Sequence, residues 1–348
     1  MKKHSFSNKN ACLITDEITG KHIMGTSLNE GYLILADENT CFVDARYFFG
    51  VKEILEGLSI KAKLYSSIED IKTFLQGVGT ENLYIDFSKT TVKDYNEYKK
   101  LGFSISDCED IIKDIRQVKE TGEIESTIKA CEIAQKALYK GLEQVRLGMT
   151  ESELRDIIER YVLELGGQGT SFETIVAFSK NGAVPHHKTG NTKLENDMPI
   201  LIDMGARFNG YCSDITRTVF FGNPTEEFKA CYDAVLKANE LAEQSIKVGI
   251  TTDVADGFAR NYLKEKGLDK YFTHSLGHGI GLEIHEHPTL SYKRKDQLKE
   301  NSLFTIEPGV YLDGKFGIRI EDTVLLTKDG IKRLFTDSKE LKIIKNIN

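Results

Sequence analysis

No segment of the 348 residues approaches the roughly 20 consecutive apolar positions that a membrane-spanning helix needs. The two lysines near the amino terminus are followed by no apolar stretch of the kind a leader peptide carries. A cytoplasmic protein without a membrane partner is the expectation. There is no block of lysine and arginine either, and a net charge of −7 offers no basic surface on which to collect phosphates, which argues against nucleic acid as a partner. The six cysteines, Cys12, Cys41, Cys108, Cys131, Cys212 and Cys231, form no CxxC pair and no knot-like spacing, so they read as free thiols of a reducing cytosol. Repeats of solenoid length and low-complexity tracts are absent as well. What is present is a globular composition, 40% hydrophobic and 28% charged, with length for about two domains.

The first third alternates short apolar runs with helical patterns: GYLILA (31–36), TCFVDARYF (40–48), KAKLY (61–65), ENLYID (81–86) and TVKDYNEYKKLG (91–102). That rhythm predicts a small α/β domain over 1–115. A boundary falls near 112–122, where a long helix begins and reads over 124–145. Thr150 and Glu153 form a capping box for the next helix, which Gly166 and Gly167 stop. Two more helices read over 225–246 and 251–267, interleaved with short strands, so that 116–348 is predicted to be an α+β domain.

The chemistry lies in the strands of the second domain. Residues 198–222 read as two strands around an Asn209-Gly210 turn. Asp203 interrupts the first apolar run and Asp214 lies on the returning strand; Glu307 in LFTIEPGVY and Glu321 in FGIRIEDTVLL break two further apolar strands. Any one of these acids could be salt-bridged or turned outward, but four in one domain are costly to bury unless cations sit among them. The segment HSLGHGIGLEIHEHP (274–288) holds four of the eight histidines, and His278 among its glycines is the natural nitrogen donor. A set of carboxylates with one imidazole and no thiolate suits manganese, cobalt or iron better than structural zinc. The glycines 277, 279 and 281 lack the strand-to-helix setting of a phosphate loop.

Taken together, GHGIG with HEHP, TIEPGVY, RIED and the DMG…SDITRT hairpin resemble the pita-bread metallopeptidases, in their Xaa-Pro aminopeptidase and prolidase branch, over about 112–330. The resemblance implies a pita-bread catalytic domain behind a smaller creatinase-like α/β domain. It implies Asp203, Asp214, His278, Glu307 and Glu321 as ligands of two divalent ions, with Asp214 and Glu321 bridging, Asp203 on one ion and His278 and Glu307 on the other. Mn2+ is the first expectation, with Co2+, Fe2+ and Zn2+ as alternatives. His186, His285 and Glu307 are then catalytic, and His274, Arg319 and Tyr311 line the substrate, with Arg319 matching the arginine that pairs with the metal-site carboxylates; His187 and His287 acquire no role. A homodimer is implied by the resemblance alone.

The reaction so implied is hydrolysis of the bond between an amino-terminal residue and a following proline, by a water activated between the ions. An Xaa-Pro bond is a tertiary amide without an N–H, which proteases that read substrates by strand pairing handle poorly. Three alternatives stand beside the aminopeptidase: a dipeptidase (prolidase), a methionine-type aminopeptidase and a non-catalytic pita-bread binding protein. Dipeptidases of the branch often carry an arginine after the HExP motif to grip the dipeptide's carboxylate, and Thr289 stands there in this chain, with Lys293 and Arg294 following. On that ground longer peptides are expected to be better substrates than dipeptides.

Overall fold

Alternating burial builds the first unit. The computed structural model describes residue 6 and residues 9–345, so Lys2 and Lys3 of the leader argument lie outside it. The chain divides into two compact units between Arg116 and Gln117. In the first, strands β1 (Asn10–Ile14), β2 (Tyr32–Leu35), β3 (Thr40–Val43), β4 (Lys61–Leu64), β5 (Asn82–Ile85) and β6 (Ser104–Asp107) form one sheet in the order β4-β3-β2-β1-β5-β6. Successive side chains of a strand point to opposite faces. Cys12, Leu33, Leu35, Cys41 and Val43 therefore pack on one face with Met24, Val51, Leu55, Ile112 and Ile115, while Ala11, Leu13, Ile34 and Phe42 pack on the other with Ile71, Leu75 and Tyr98. The helices supplying those partners are α1 (Glu17–Met24), α2 (Phe48–Gly57), α3 (Ile68–Gly77), α4 (Val92–Lys99) and α5 (Glu109–Gln117). The expected α/β rhythm is present; β1 and β6 were not foreseen.

In the second unit, α6 (Thr121–Leu142) begins at Thr121 in the acidic stretch that marks a helix start, and Glu120 with Glu123 closes a capping box one residue before it. For α7 (Glu151–Glu164) the predicted box holds: Thr150 Oγ1 accepts from the Glu153 N–H at 3.1 Å, and Glu153 accepts from the Thr150 N–H at 2.7 Å. Strand β7 (Ile175–Phe178) precedes the predicted hairpin of β8 (Met198–Met204) and β11 (Ile215–Phe221). Between those two strands stands a second small ribbon, β9 (Arg207–Phe208) and β10 (Tyr211–Cys212), turned by Asn209 and Gly210 at φ +50° and +84°. Both turn residues take the left-handed conformation that asparagine and glycine tolerate best.

Helices α8 (Glu226–Ser245) and α9 (Thr252–Glu265) follow, then β12 (Gly277–Gly279), β13 (Glu286–Leu290), β14 (Leu303–Ile306), β15 (Gly309–Leu312), β16 (Phe316–Arg319), β17 (Glu321–Thr327), β18 (Gly330–Arg333) and β19 (Ile343–Ile344). The main sheet runs β13-β12-β14-β17-β11-β8-β7, with β18 on β17 and β19 on β11. Two apolar clusters cover it, one built with α6 and α7 and the other with α8 and α9.

Asn239 of α8 is fully buried and ties this cover to the sheet. Its Nδ2 donates to the backbone carbonyls of Ile306 at 3.0 Å and Ile320 at 3.1 Å, and its Oδ1 accepts from Lys339 Nζ. Asn239→Ala removes the amide donor from both carbonyls and one acceptor from the Lys339 ammonium, which keeps Glu243 Oε2 at 2.6 Å, and is expected to cost about 2 kcal/mol. Urea denaturation would show this as a lower midpoint at unchanged slope; an unchanged midpoint would mean that the amide is dispensable.

Candidate active site

The sheet order places five ionisable residues side by side. Strands β12, β14, β17, β11 and β8 are consecutive neighbours. Asp203 lies in β8, Asp214 one residue before β11, His278 in β12, Glu307 one residue after β14, and Glu321 at the first position of β17. In register, Thr216 of β11 stands opposite Asp203 on one side and Glu321 on the other, so these three form a row across three strands. Asp214 is not paired across the hairpin with Asp203 as a plain two-stranded reading suggests; it reaches the group from the bend preceding β11, where its backbone N–H and C=O are both held by Thr323 Oγ1.

Asp214, His278 and Glu321 each bring one ligand atom within 4.8 Å of the others. His278 Nε2 lies 3.5 Å from Asp214 Oδ2 and 3.4 Å from Glu307 Oε1. Its Nδ1–H donates to the Gly279 carbonyl at 3.1 Å, which leaves the Nε2 lone pair facing the carboxylates. Asp203 Oδ1, Asp214 Oδ1 and Glu321 Oε1 are buried with no hydrogen-bond partner. Buried carboxylate oxygens without donors, grouped around an imidazole lone pair, fit divalent cations and little else. The electrostatics agree. Burial, and then the charges of Asp203 and Glu307, push the Asp214 carboxyl well above the ordinary carboxylate range. Glu321 is raised likewise by burial and by Asp214. In Asp203 burial outweighs the adjacent Arg319, and the net direction is also upward.

Arg319 stands behind the acids rather than in front of them. Its Nη2 donates to Asp203 Oδ2, its Nε to Thr216 Oγ1 at 2.9 Å and its Nη1 to the Tyr311 hydroxyl at 2.8 Å. Burial pushes Tyr311 up to about 12, so its hydroxyl keeps its proton and donates to His274 Nε2 at 2.9 Å. His274 in turn donates from Nδ1 to the Ser275 carbonyl at 2.8 Å, and its burial lowers its pKa, keeping the ring neutral. Both of its nitrogens are thus engaged within the protein. His285 remains exposed; its ring meets that of His278 edge-on, with centroids 4.3 Å apart. Desolvation of its covered side, and then repulsion from the neighbouring imidazoles of His278 and His186, hold its pKa below the ordinary value. His186 is exposed on its loop, whereas His187 is bound through Nε2 to the buried Glu151 at 3.0 Å.

Three threonines escaped the sequence reading. Thr216 Oγ1 donates to Glu321 Oε2 at 2.5 Å, Thr305 Oγ1 donates to Glu307 Oε1 at 3.0 Å, and Thr323 holds the Asp214 backbone. The signal was available: SDIT, TIE and EDT each set a threonine two residues from an acid, the spacing that puts both on one face of a strand.

Raised carboxyl pKa values carry a sign. The folded state holds the Asp214 and Glu321 protons more tightly than the unfolded chain, so their contribution to stability is fully present below the ordinary carboxylate pKa and is lost as pH rises through the raised values. Cations that replace those protons should therefore stabilise most at high pH. The rise in Tm on replacing chelator by Mn2+ is expected to be larger at pH 8 than at pH 5.5, and to shrink in Glu321→Gln. An equal rise at both pH values would contradict a carboxylate centre.

Comparison with known proteins converges on this site. Residues 125–328 match the model of metallopeptidase family M24. The chain is 38% identical to the Xaa-Pro dipeptidase of Pyrococcus furiosus over 322 residues, 92% of this chain and 91% of that protein. Its backbone resembles those of an X-Pro aminopeptidase from Thermotoga maritima (TM-score 0.87, 32% identity, 96% of this chain and 97% of the other) and an Xaa-Pro dipeptidase from Bacillus anthracis (TM-score 0.91, 30% identity, 96% and 95%). With the matched segment spanning every one of the grouped acids and histidines, the chain belongs to metallopeptidase family M24, and it is a peptidase with the pita-bread fold.

Proposed function

We propose that this peptidase is an Xaa-Pro dipeptidase, releasing an amino-terminal residue from a following proline. The observation that carries this reading is the combination of full-length kinship to an Xaa-Pro dipeptidase with a buried acid and imidazole group that lacks donors. It moves the dipeptide ahead of the longer-peptide preference drawn from Thr289. Thr289 stands opposite His278 in the β12–β13 pairing, and Lys293 and Arg294 are exposed just beyond β13, so a carboxylate could still be gripped without an arginine at 289.

Asp203, Asp214, His278, Glu307 and Glu321 would hold two divalent ions, Mn2+ ahead of Co2+, Fe2+ or Zn2+. Bound there, the ions would balance the acids, polarise the scissile carbonyl and make water acidic enough to attack it. Glu307 Oε2 takes a proton from the attacking water and delivers it to the proline nitrogen; Oε1 stays held by Thr305. His285 donates to the carbonyl oxygen as it gains charge. Its lowered pKa keeps the ring neutral at neutral pH, with one N–H to give. His186 bonds the segment after the scissile bond from its exposed loop. Arg319, Tyr311 and His274 act from behind, fixing Asp203 Oδ2 so that Oδ1 faces inward for an ion and for the substrate's amine. Homodimerisation, a cytosolic setting for the six free cysteines, and a creatinase/prolidase-like identity for the amino-terminal α/β domain belong to the same proposal.

A second reading, the aminopeptidase for longer Xaa-Pro peptides, keeps support from the absence of arginine at 289 and from the Thermotoga maritima structure. Ala-Pro and Ala-Pro-Ala compared at equal manganese loading separate the two. The dipeptidase predicts a higher kcat/KM for Ala-Pro; the reverse order sinks it in favour of the aminopeptidase. Asp214→Asn should abolish turnover of either peptide and lower manganese content.

A further inference from the structure

The turn that carries His285 is tied down by a carboxylate for which the reaction has no use. Residues 281–285, between β12 and β13, are irregular. Glu286, the first residue of β13, folds its side chain back against them. Its Oε1 accepts from the Glu283 backbone N–H at 3.0 Å, and its Oε2 accepts from Lys119 Nζ at 2.7 Å. The two charged side chains are 1% and 3% exposed. The carboxylate packs so tightly on Gly281 that a Cβ there would stand 2.8 Å from Oε2 and 2.9 Å from Oε1. Lys119 is itself anchored: its N–H donates to the Asn301 carbonyl at 2.9 Å, and Val118 bridges Ser302.

A wholly buried ion pair is a poor investment for stability alone, since an apolar pair of similar volume serves as well or better. What it supplies is one geometry, because the Glu283 N–H, the Lys119 ammonium and the backbone at Gly281 hold the Glu286 carboxylate at the same time. We propose that Lys119 and Glu286 are positioning residues: their pair locks the 281–286 turn and thereby holds the His285 ring against His278, facing the substrate. The inference rests on the role of His285 in the proposed Xaa-Pro hydrolysis.

Lys119→Met, loaded with manganese, should lose on the order of 10-fold or more in kcat on Ala-Pro, the scale of loss when a reacting group is misplaced. KM and manganese content should change by less than about twofold, since neither binding nor the ions depend on the turn. The decisive measurement is the cycle with His285→Ala. The variant carrying both changes should turn over no more slowly than His285→Ala alone, because the pair acts only through that ring. Glu286→Gln, which retains an oxygen for the Glu283 N–H but removes the charge, is read through the same cycle if Lys119→Met does not fold. Losses that multiply in the combined variant, a parallel loss of manganese, or full kcat in Glu286→Gln would each overturn the positioning role. An unmodified enzyme that cleaves neither Ala-Pro nor Ala-Pro-Ala overturns the proposed function and this inference together, whereas an active enzyme with multiplying losses overturns the inference alone.

Discussion

Mutual repulsion among carboxylates withdrawn from water is the constraint around which the second unit is arranged. Asp203, Asp214 and Glu321 are each less than 10% exposed, and Glu307 borders them. Such a group costs several kcal/mol per uncompensated charge. The chain meets that cost with fixed donors on one side and leaves oxygens open on the other. Arg319 and the threonines satisfy Asp203 Oδ2, Glu321 Oε2 and Glu307 Oε1, while the opposite oxygens of Asp203 and Glu321 stay without donors. A purely structural cluster would satisfy both sides.

Behind the row lies a second charged layer, and strand alternation connects the two. Glu321 faces the site, so its neighbour Asp322 must face away, and there it accepts from Arg217 at 2.7 Å and Arg333 at 2.9 Å. Arg217 also donates to the Glu321 carbonyl at 2.6 Å and to Asp337 at 2.8 Å. The backbone bearing Glu321 is therefore gripped from the rear by a guanidinium while its side chain is held from the front by Thr216. Asn239 adds the same kind of grip at Ile306 and Ile320, each one residue from an acid of the site. Placement of the acids is thus fixed by hydrogen bonds to the backbone that bears them as well as by packing.

How far this was legible depends on whether the signal was local. The acids interrupting apolar runs at 203, 307 and 321, the Asn209-Gly210 turn and the Thr150 box are local patterns, and each stands where it was read. The partners of His274 were not legible: Tyr311 lies 37 residues away, and nothing in either stretch says that the ring turns toward it instead of toward substrate. Lys119 and Glu286 are 167 residues apart, and a lysine in QVKETGEIE reads as a solvated helix approach until the fold buries it. The bend that delivers Asp214 was missed for a related reason, since alternation along a strand says nothing about where the strand is interrupted.

The density of histidine and glycine over 274–288 follows from crowding of backbone. A Cβ on Gly277 would stand 2.0 Å from the Thr305 carbonyl oxygen, and one on Gly279 would stand 2.3 Å from that of His287. No side chain fits at either place, so β12 can lie close against both neighbours only if glycine flanks His278. That closeness brings Glu307, from the end of β14, within 3.4 Å of His278 on one side. On the other side the chain doubles back so tightly that His285, seven residues later, stacks edge-on against the same imidazole. One short strand thus presents a nitrogen to the acids and a second ring to the open face, and the four histidines part company accordingly: His278 inward, His285 outward, His274 into the Tyr311 chain, and His287 lending its carbonyl to the close approach at Gly279.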